Sequence, residues 1–319
     1  MQIKNLTLPV FLEFVELKTK VASVFPMLIG ILWSQYHYQQ INWFNTFLFV
    51  ISVISFDMCT TAINNTMDYH KAVDVAYREK ENVLGKHGLD FKEMVAIILS
   101  LLLISTIFSL VLVWRTDLAL LPMGILCFLI GIFYTFGPMP LSRLPLGEVF
   151  SGVTMGFGIF FLAVYIQSPS DFLATAWSMG GWQVSIIWHL GETLLIFFMS
   201  IPLICLIANI MLANNLCDYE QDLRNHRYTL VHYLQPKASL FLYTMLSILP
   251  WIMWIVYIIL GLLPIWSLVG LVLALPFTKN LLRFRKKQIK SKTFIQSIKN
   301  FLLFSGMYVM VLVVALFLN

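Results

Sequence analysis

Apolar stretches of about 20 residues, the length at which a helix crosses the roughly 30 Å hydrocarbon layer of a bilayer, alternate along this chain with short polar segments. Nine such stretches stand out, at roughly 17–36, 43–66, 93–114, 117–136, 147–167, 191–214, 238–260, 262–278 and 298–318. The pattern predicts an all-α, polytopic membrane protein of nine transmembrane helices. Nothing in it divides residues 1–319, which are expected to form a single membrane-embedded domain.

Composition sharpens the class. Of 319 residues 59% are apolar and 12% charged, against roughly 25% charged in soluble domains, so a soluble protein is excluded. No short apolar segment ending in a small-residue cleavage site precedes the first long stretch, so the N-terminus is expected to be retained. Cys59, Cys127, Cys205 and Cys217 lie in or beside apolar stretches without metal-ligand spacing and are read as reduced packing residues. The net charge of +5 is informative through its distribution. Numbering the loops alternately, 20 of the 21 Lys and Arg residues fall on one side and Arg115 alone on the other. By the positive-inside rule the N-terminus is cytoplasmic and the C-terminus external. No nucleic-acid partner is expected.

Two polar clusters break the apolar pattern. Asn64-Asn65-Thr66-Met67-Asp68-Tyr69-His70-Lys71 follows the second stretch, and Asn214-Asn215-Leu216-Cys217-Asp218-Tyr219-Glu220-Gln221-Asp222 follows the sixth. Both are assigned to the cytoplasmic side. Carboxylates at the edge of hydrocarbon are disfavoured unless they pair, face an internal cavity or hold a cation. At 100° per residue Asp57, Asn64 and Asp68 fall within about 40° on one helix face. Asn214, Asp218 and Asp222 form a similar stripe if their helix continues past the membrane edge. Oxygen ligands without His or Cys favour a hard cation such as Mg2+, which leaves positions open for a substrate phosphate. Lys71, Arg78, Arg143, Arg224 and Arg227 supply counter-charges suited to a diphosphate. Either cluster alone also fits a plain helix terminus, with the bases enforcing topology. Two clusters on one side favour a shared metal and diphosphate site.

Other polar residues are weaker pointers. Asp57, two turns inside the second span, is expected to face the polar interior, in a metal-binding, acceptor-handling or purely structural role. The basic run at 283–292 is read as a topological and lipid-headgroup anchor. His70 and His87 are given no role.

The clusters resemble the motifs of the UbiA superfamily of intramembrane prenyltransferases. Its first motif, usually NDxxDxxxD, is matched by Asn64, Asn65 and Asp68. Asn65 stands where Asp is usual, and Ala72 occupies the last acid position with Asp74 two residues beyond. Its second motif, DxxxD, is Asp218 and Asp222. The surrounding residues resemble the naphthoate-prenylating branch, NNxRDxxxDxxxGKxTL: Cys217 replaces the Arg and His226-Arg227 the Gly-Lys, while Thr229-Leu230 is kept. Leu17-Lys18-Thr19 with Pro26 and Gly30, Tyr134-Thr135-Phe136-Gly137-Pro138-Met139-Pro140-Leu141, and Pro145-Leu146-Gly147-Glu148 are further matches.

The resemblance implies nine helices around a lipid-accessible central cavity. It also implies transfer of a polyprenyl chain from its diphosphate to an aromatic acceptor, 1,4-dihydroxy-2-naphthoate, with decarboxylation to demethylmenaquinone. Metal ligation is then expected from Asn64, Asp68, Asp74, Asp218 and Asp222, and substrate contacts from Lys18, Asn64, Lys71, Arg78, Arg143, Asn214 and Arg224. Tyr134 is the first aromatic expected to shield an allylic cation. Another aromatic or tetrapyrrole acceptor is the alternative within the superfamily. A cation-coupled secondary transporter is the alternative outside it, disfavoured because the acids sit at helix ends rather than mid-membrane.

Overall fold

Helix ends follow local chemistry in this chain. The computed structural model describes residues 6–72, 75, 77–137, 140–178, 183–224 and 227–318. Short α1 (Leu8–Phe14) leads through a 3-10 turn, Leu17–Lys20, into α2 (Val21–Trp33) and a π-turn, Ser34–Tyr38. Then come α3 (Trp43–Lys71) and α4 (Val83–His87), the latter capped where the Asn82 side chain accepts from the Leu84 amide. The N-cap of α5 (Phe91–Arg115) is Asp90, whose side chain accepts from the amides of Lys92 and Glu93. After α6 (Leu120–Thr135) come α7 (Gly147–Ser151) and α8 (Ile159–Tyr165), joined by a π-turn into one helical run. Strands β1 (Leu173–Ser178) and β2 (Gln183–Trp188) pair antiparallel with Leu173 opposite Trp188. The chain closes with α9 (Leu190–Cys217), α10 (Tyr219–Arg224), α11 (Leu230–Ile259), α12 (Ala274–Lys286) and α13 (Ile295–Leu318). In α11 the backbone at Gln235 is left-handed (φ 65°) just before Pro236, whose ring disfavours helix at the preceding residue.

Among the described residues seven helical runs are long and apolar enough to cross a membrane. All seven coincide with predicted stretches. The remaining two stretches carry shorter helices, α6 of 16 residues and α2 of 13. The protein is a multi-pass helical membrane protein. The hairpin β1–β2 was not expected, although the β-branched and aromatic residues on either side of Gly180-Gly181 are the usual hairpin signal.

The chain divides into two compact units, Met1–Ser23 with Trp43–Pro140, and Val24–Asn42 with Leu141–Asn319. In the first, Phe14, Val15, Ala62, Val83, Leu84, Leu89 and Met94 form a buried cluster that joins α1, α3, α4 and α5. In the second, Leu212, Ala213 and Leu216 of α9 bury against Val231, Tyr243, Leu281 and Phe284. Asn209 of α9 donates to the Tyr243 carbonyl at 3.0 Å and to Ser247 Oγ at 2.9 Å. Each cluster backs the helix end that carries one of the polar motifs.

Candidate active site

In the first unit, α3 is 29 residues long, about 43 Å at 1.5 Å per residue against a hydrocarbon layer of about 30 Å. One end must overhang, and the polar end holding Asn64, Asn65 and Asp68 suits that role. Asn64 and Asp68, one turn apart, are half-buried. Asn65 is buried and committed: its Nδ2 donates to the Phe14 carbonyl at 2.8 Å, while its own carbonyl accepts from Asn82 Nδ2 at 3.0 Å. An Asp there has no proton to give to Phe14, which explains why Asn occupies a place where the motif usually has Asp.

Helix α3 ends at Lys71. Asp74 lies outside the described residues, as do the side chains of Lys18 and Lys71. Arg78 sits on a π-turn, Tyr77–Glu81, and its guanidinium lies 3.9 Å from Glu79. A Cβ at Gly85 of α4 would come within 1.9 Å of the Arg78 carbonyl, so only glycine lets the turn pack there. His87 joins Lys86 in gripping Glu13 of α1. Tyr134 is half-buried in the last turn of α6.

Asp57 has a structural partner. Lys20 Nζ reaches Asp57 Oδ1 at 2.7 Å and also donates to the Asp57 carbonyl and Thr61 Oγ1, so all three ammonium protons are used. Ser23 Oγ donates to the other carboxylate oxygen. Lys20 is 4% exposed, and a charge so deeply buried persists only when paired.

In the second unit, α9 stops at Cys217 and Asp218 forms the joint to α10 (φ −95°, ψ 4°). The expected continuous helix is therefore broken. The one-turn spacing survives, because the Asp218 amide donates to the Asn214 carbonyl at 3.1 Å and the Asp222 amide to the Asp218 carbonyl at 2.7 Å. Asp222 is buried at 4% exposure, with Arg227 Nε 3.5 Å from its Oδ1. Its Oδ2 is buried without a hydrogen-bond partner. Burial pushes the Asp222 carboxyl up to about 6; Arg227 opposes this, Asp218 adds to it, and Lys290 and Arg143 also oppose it. These groups share one electrostatic neighbourhood. Arg224 instead pairs with Glu220 on the exposed side of α10.

Two partners here escaped the sequence reading. Lys290, from the run assigned to lipid headgroups, donates to Asp218 Oδ2 at 2.6 Å and to Asn214 Oδ1. Glu148 is 3% exposed and accepts from Asn215 Nδ2 at 2.8 Å. The two motifs thus share a form, Asn-Asn-x-x-Asp, and a division of labour. The second Asn of each pair is a buried donor, to Phe14 or to Glu148, and the first lies one turn from the Asp.

Among the described residues no three of His, Cys, Asp and Glu come together as a ready-made metal cage. The donor set nonetheless fits a hard cation: Asp222 offers a buried, unsatisfied carboxylate oxygen and Asp218 an oxygen now neutralised by an ammonium.

The chain is thus a multi-pass helical membrane protein with two Asn-Asn-x-x-Asp helix ends, the second flanked by Arg143, Arg227 and Lys290. The UbiA prenyltransferase family matches residues 23–304, and the chain belongs to that family. It is 25% identical over 224 residues to the 1,4-dihydroxy-2-naphthoate octaprenyltransferase of Bacillus subtilis (strain 168), covering 69% of this chain and 64% of that relative's length. Among solved structures, the apo form of a UbiA homolog from Aeropyrum pernix K1 has a TM-score of 0.65 at 15% identity, covering 94% of this chain and 98% of that one. A UbiA homolog from Archaeoglobus fulgidus bound to GPP and Mg2+ has a TM-score of 0.62 at 13% identity, covering 96% and 99%. These likenesses establish the fold.

Proposed function

We propose that this chain, acting as one domain of nine spans around a lipid-accessible cavity, transfers a polyprenyl group from its diphosphate to 1,4-dihydroxy-2-naphthoate. The products are demethylmenaquinol (demethylmenaquinone in its reduced, quinol form), CO2 and diphosphate; the electron pair of the broken C–CO2 bond returns to the ring. The observation that carries the reading is Asp222, whose buried, unpartnered oxygen lies beside Asp218 in a neighbourhood shared with Arg227, Lys290 and Arg143. Such an acid awaits a cation, and such bases await an anion. The Bacillus subtilis relative supports the naphthoate as acceptor, and the GPP- and Mg2+-bound homolog supports a prenyl diphosphate and a divalent ion.

In this reading Asn64, Asp68, Asp218 and Asp222, with Asp74 as a further acid of the first motif, are the residues that would hold Mg2+, which neutralises charge on a departing diphosphate. Arg143 and Arg227 pair with diphosphate oxygens, as do Lys18, Lys71, Arg78 and Arg224 at the outer edge, while Asn214 donates an amide hydrogen bond. The allylic C–O bond breaks with its electron pair leaving on the diphosphate, and a ring carbon of the acceptor supplies the pair for the new C–C bond. Tyr134 presents an aromatic face to the allylic carbon, a contact worth about 0.5–2 kcal/mol. The acid-bearing loops and the N-terminus are cytoplasmic and the C-terminus external.

Substitution tests the assignment. Asp68→Asn, Asp218→Asn and Asp222→Asn are each expected to lower kcat by about a hundredfold or more while the purified proteins keep wild-type thermal unfolding. Near-normal turnover in two of the three, with Mg2+ still required, contradicts it.

A further inference from the structure

Lys290 is the unexplained group at the second motif. It comes from 72 residues beyond Asp218, in the loop between α12 and α13, and the loop is built to hold it. Gln288 Nε2 donates to the Phe284 and Arg285 carbonyls and closes the end of α12. Thr293 Oγ1 accepts from the Ile289 amide at 2.8 Å and donates to the Lys287 carbonyl at 2.8 Å, tying a tight turn around Lys290. Phe294 packs against the cluster behind α9, and the Lys290 ammonium lies 5.1 Å from the centre of its ring. The side chain itself stays 47% exposed, while the turn fixes the backbone that carries it.

The ammonium touches Asp218 Oδ2, an oxygen that the proposed function gives to the metal, and Oδ1 of Asn214, whose amide nitrogen that reading gives to the substrate. We propose that Lys290 is a tethered counter-cation that occupies the second motif until a metal–diphosphate arrives, and that its exchange from carboxylate to diphosphate couples metal binding to substrate binding. The electrostatics lead there directly. A divalent ion alone must displace a positive charge from Asp218 and leave it with no anion nearby. A metal carrying a diphosphate hands that ammonium a new partner with more negative charge than the carboxylate it gives up. Asp222 Oδ2, buried and without a hydrogen-bond partner, is left for the incoming metal–diphosphate. The device makes the acid motif a poor site for free cations and a good one for a cation bound to substrate.

The inference rests on the proposed metal assignment, and one set of measurements separates the two. Mn2+ binding to purified protein in detergent is followed by electron paramagnetic resonance, with and without inorganic pyrophosphate. In the wild type, pyrophosphate is expected to tighten Mn2+ about tenfold or more, within the usual range of coupling between sites. Lys290→Met is expected to bind Mn2+ alone about fivefold more tightly and to lose most of that coupling, while Lys290→Arg, which keeps the charge, retains it. Wild-type affinity and coupling in Lys290→Met, in a protein whose thermal unfolding is unchanged, overturn the inference. An unstable Lys290→Met leaves Lys290→Gln as the deciding variant, read the same way. If Asp218→Asn binds Mn2+ as the wild type does, the metal assignment itself fails and the inference falls with it.

Discussion

Asp222 and Asn65 show how much a single side chain decides here. Asp222 is buried with Arg227 beside one oxygen and the other unsatisfied, and a buried carboxylate oxygen left without a partner costs stability that a bound cation would offset. Asn65 is its opposite, a motif residue whose donor is spent on the Phe14 carbonyl. We predict that Asn65→Asp, although it restores the usual family residue, lowers stability by about 1–3 kcal/mol, because a carboxylate oxygen replaces a buried donor. Thermal unfolding in detergent measures the loss, and the Mg2+ concentration for half-maximal rate should not change. A tighter Mg2+ requirement without destabilisation would make Asn65 a failed metal ligand instead of a structural one. The residue types of both motifs were legible in the sequence, since Asn and Asp at the ends of apolar runs are costly without a purpose. What each Asn does was not, because Phe14 and Glu148 reach them from 51 and 67 residues away.

Elements carry the next level of organisation. The Lys20–Asp57 pair ties the segment before α2 to the middle of α3, with Ser23 and Thr61 completing the network. Helix periodicity pointed Asp57 toward a polar interior but could not reveal Lys20, which sits 37 residues earlier next to the motif residue Lys18. Removing one partner leaves a buried charge alone, so Lys20→Met is expected to cost about 3–5 kcal/mol. The double variant Lys20→Met with Asp57→Leu should recover most of it, read as the thermal midpoint of each purified protein. Equal losses in the single and double variants would show that the pair contributes nothing beyond shape. Apolar length placed the helix bodies, whereas the joint at Asp218 was not legible, since Asn214 to Asp222 has helical spacing on either side of it. The hairpin β1–β2 left no mark on the hydropathy pattern, because its six-residue strands are far shorter than a membrane span.

At the scale of the whole molecule, hydropathy identified all seven long apolar helical runs among the described residues, since roughly 20 apolar residues have few other uses. The two shortest segments carry the remaining question of topology. Helix α2 has 13 residues, about 20 Å of rise, and crosses a bilayer only with the help of the flanking 3-10 and π-turns, Leu17–Lys20 and Ser34–Tyr38. With nine spans, reporters placed within 39–42 and after Asn319 read external, and those within 67–72 and 227–229 read cytoplasmic. A cytoplasmic signal at 39–42 would remove α2 from the count. The central claim is chemical, and one assay meets it most directly. Purified protein in detergent is given Mg2+, a radiolabelled polyprenyl diphosphate and a panel of aromatic acceptors that includes 1,4-dihydroxy-2-naphthoate and 4-hydroxybenzoate. The account predicts labelled demethylmenaquinol, recovered as demethylmenaquinone after air oxidation, from the naphthoate, with one CO2 released per product and no product after chelation of the metal. Prenylation of 4-hydroxybenzoate in preference to the naphthoate, or product formation undiminished by the chelator, contradicts it.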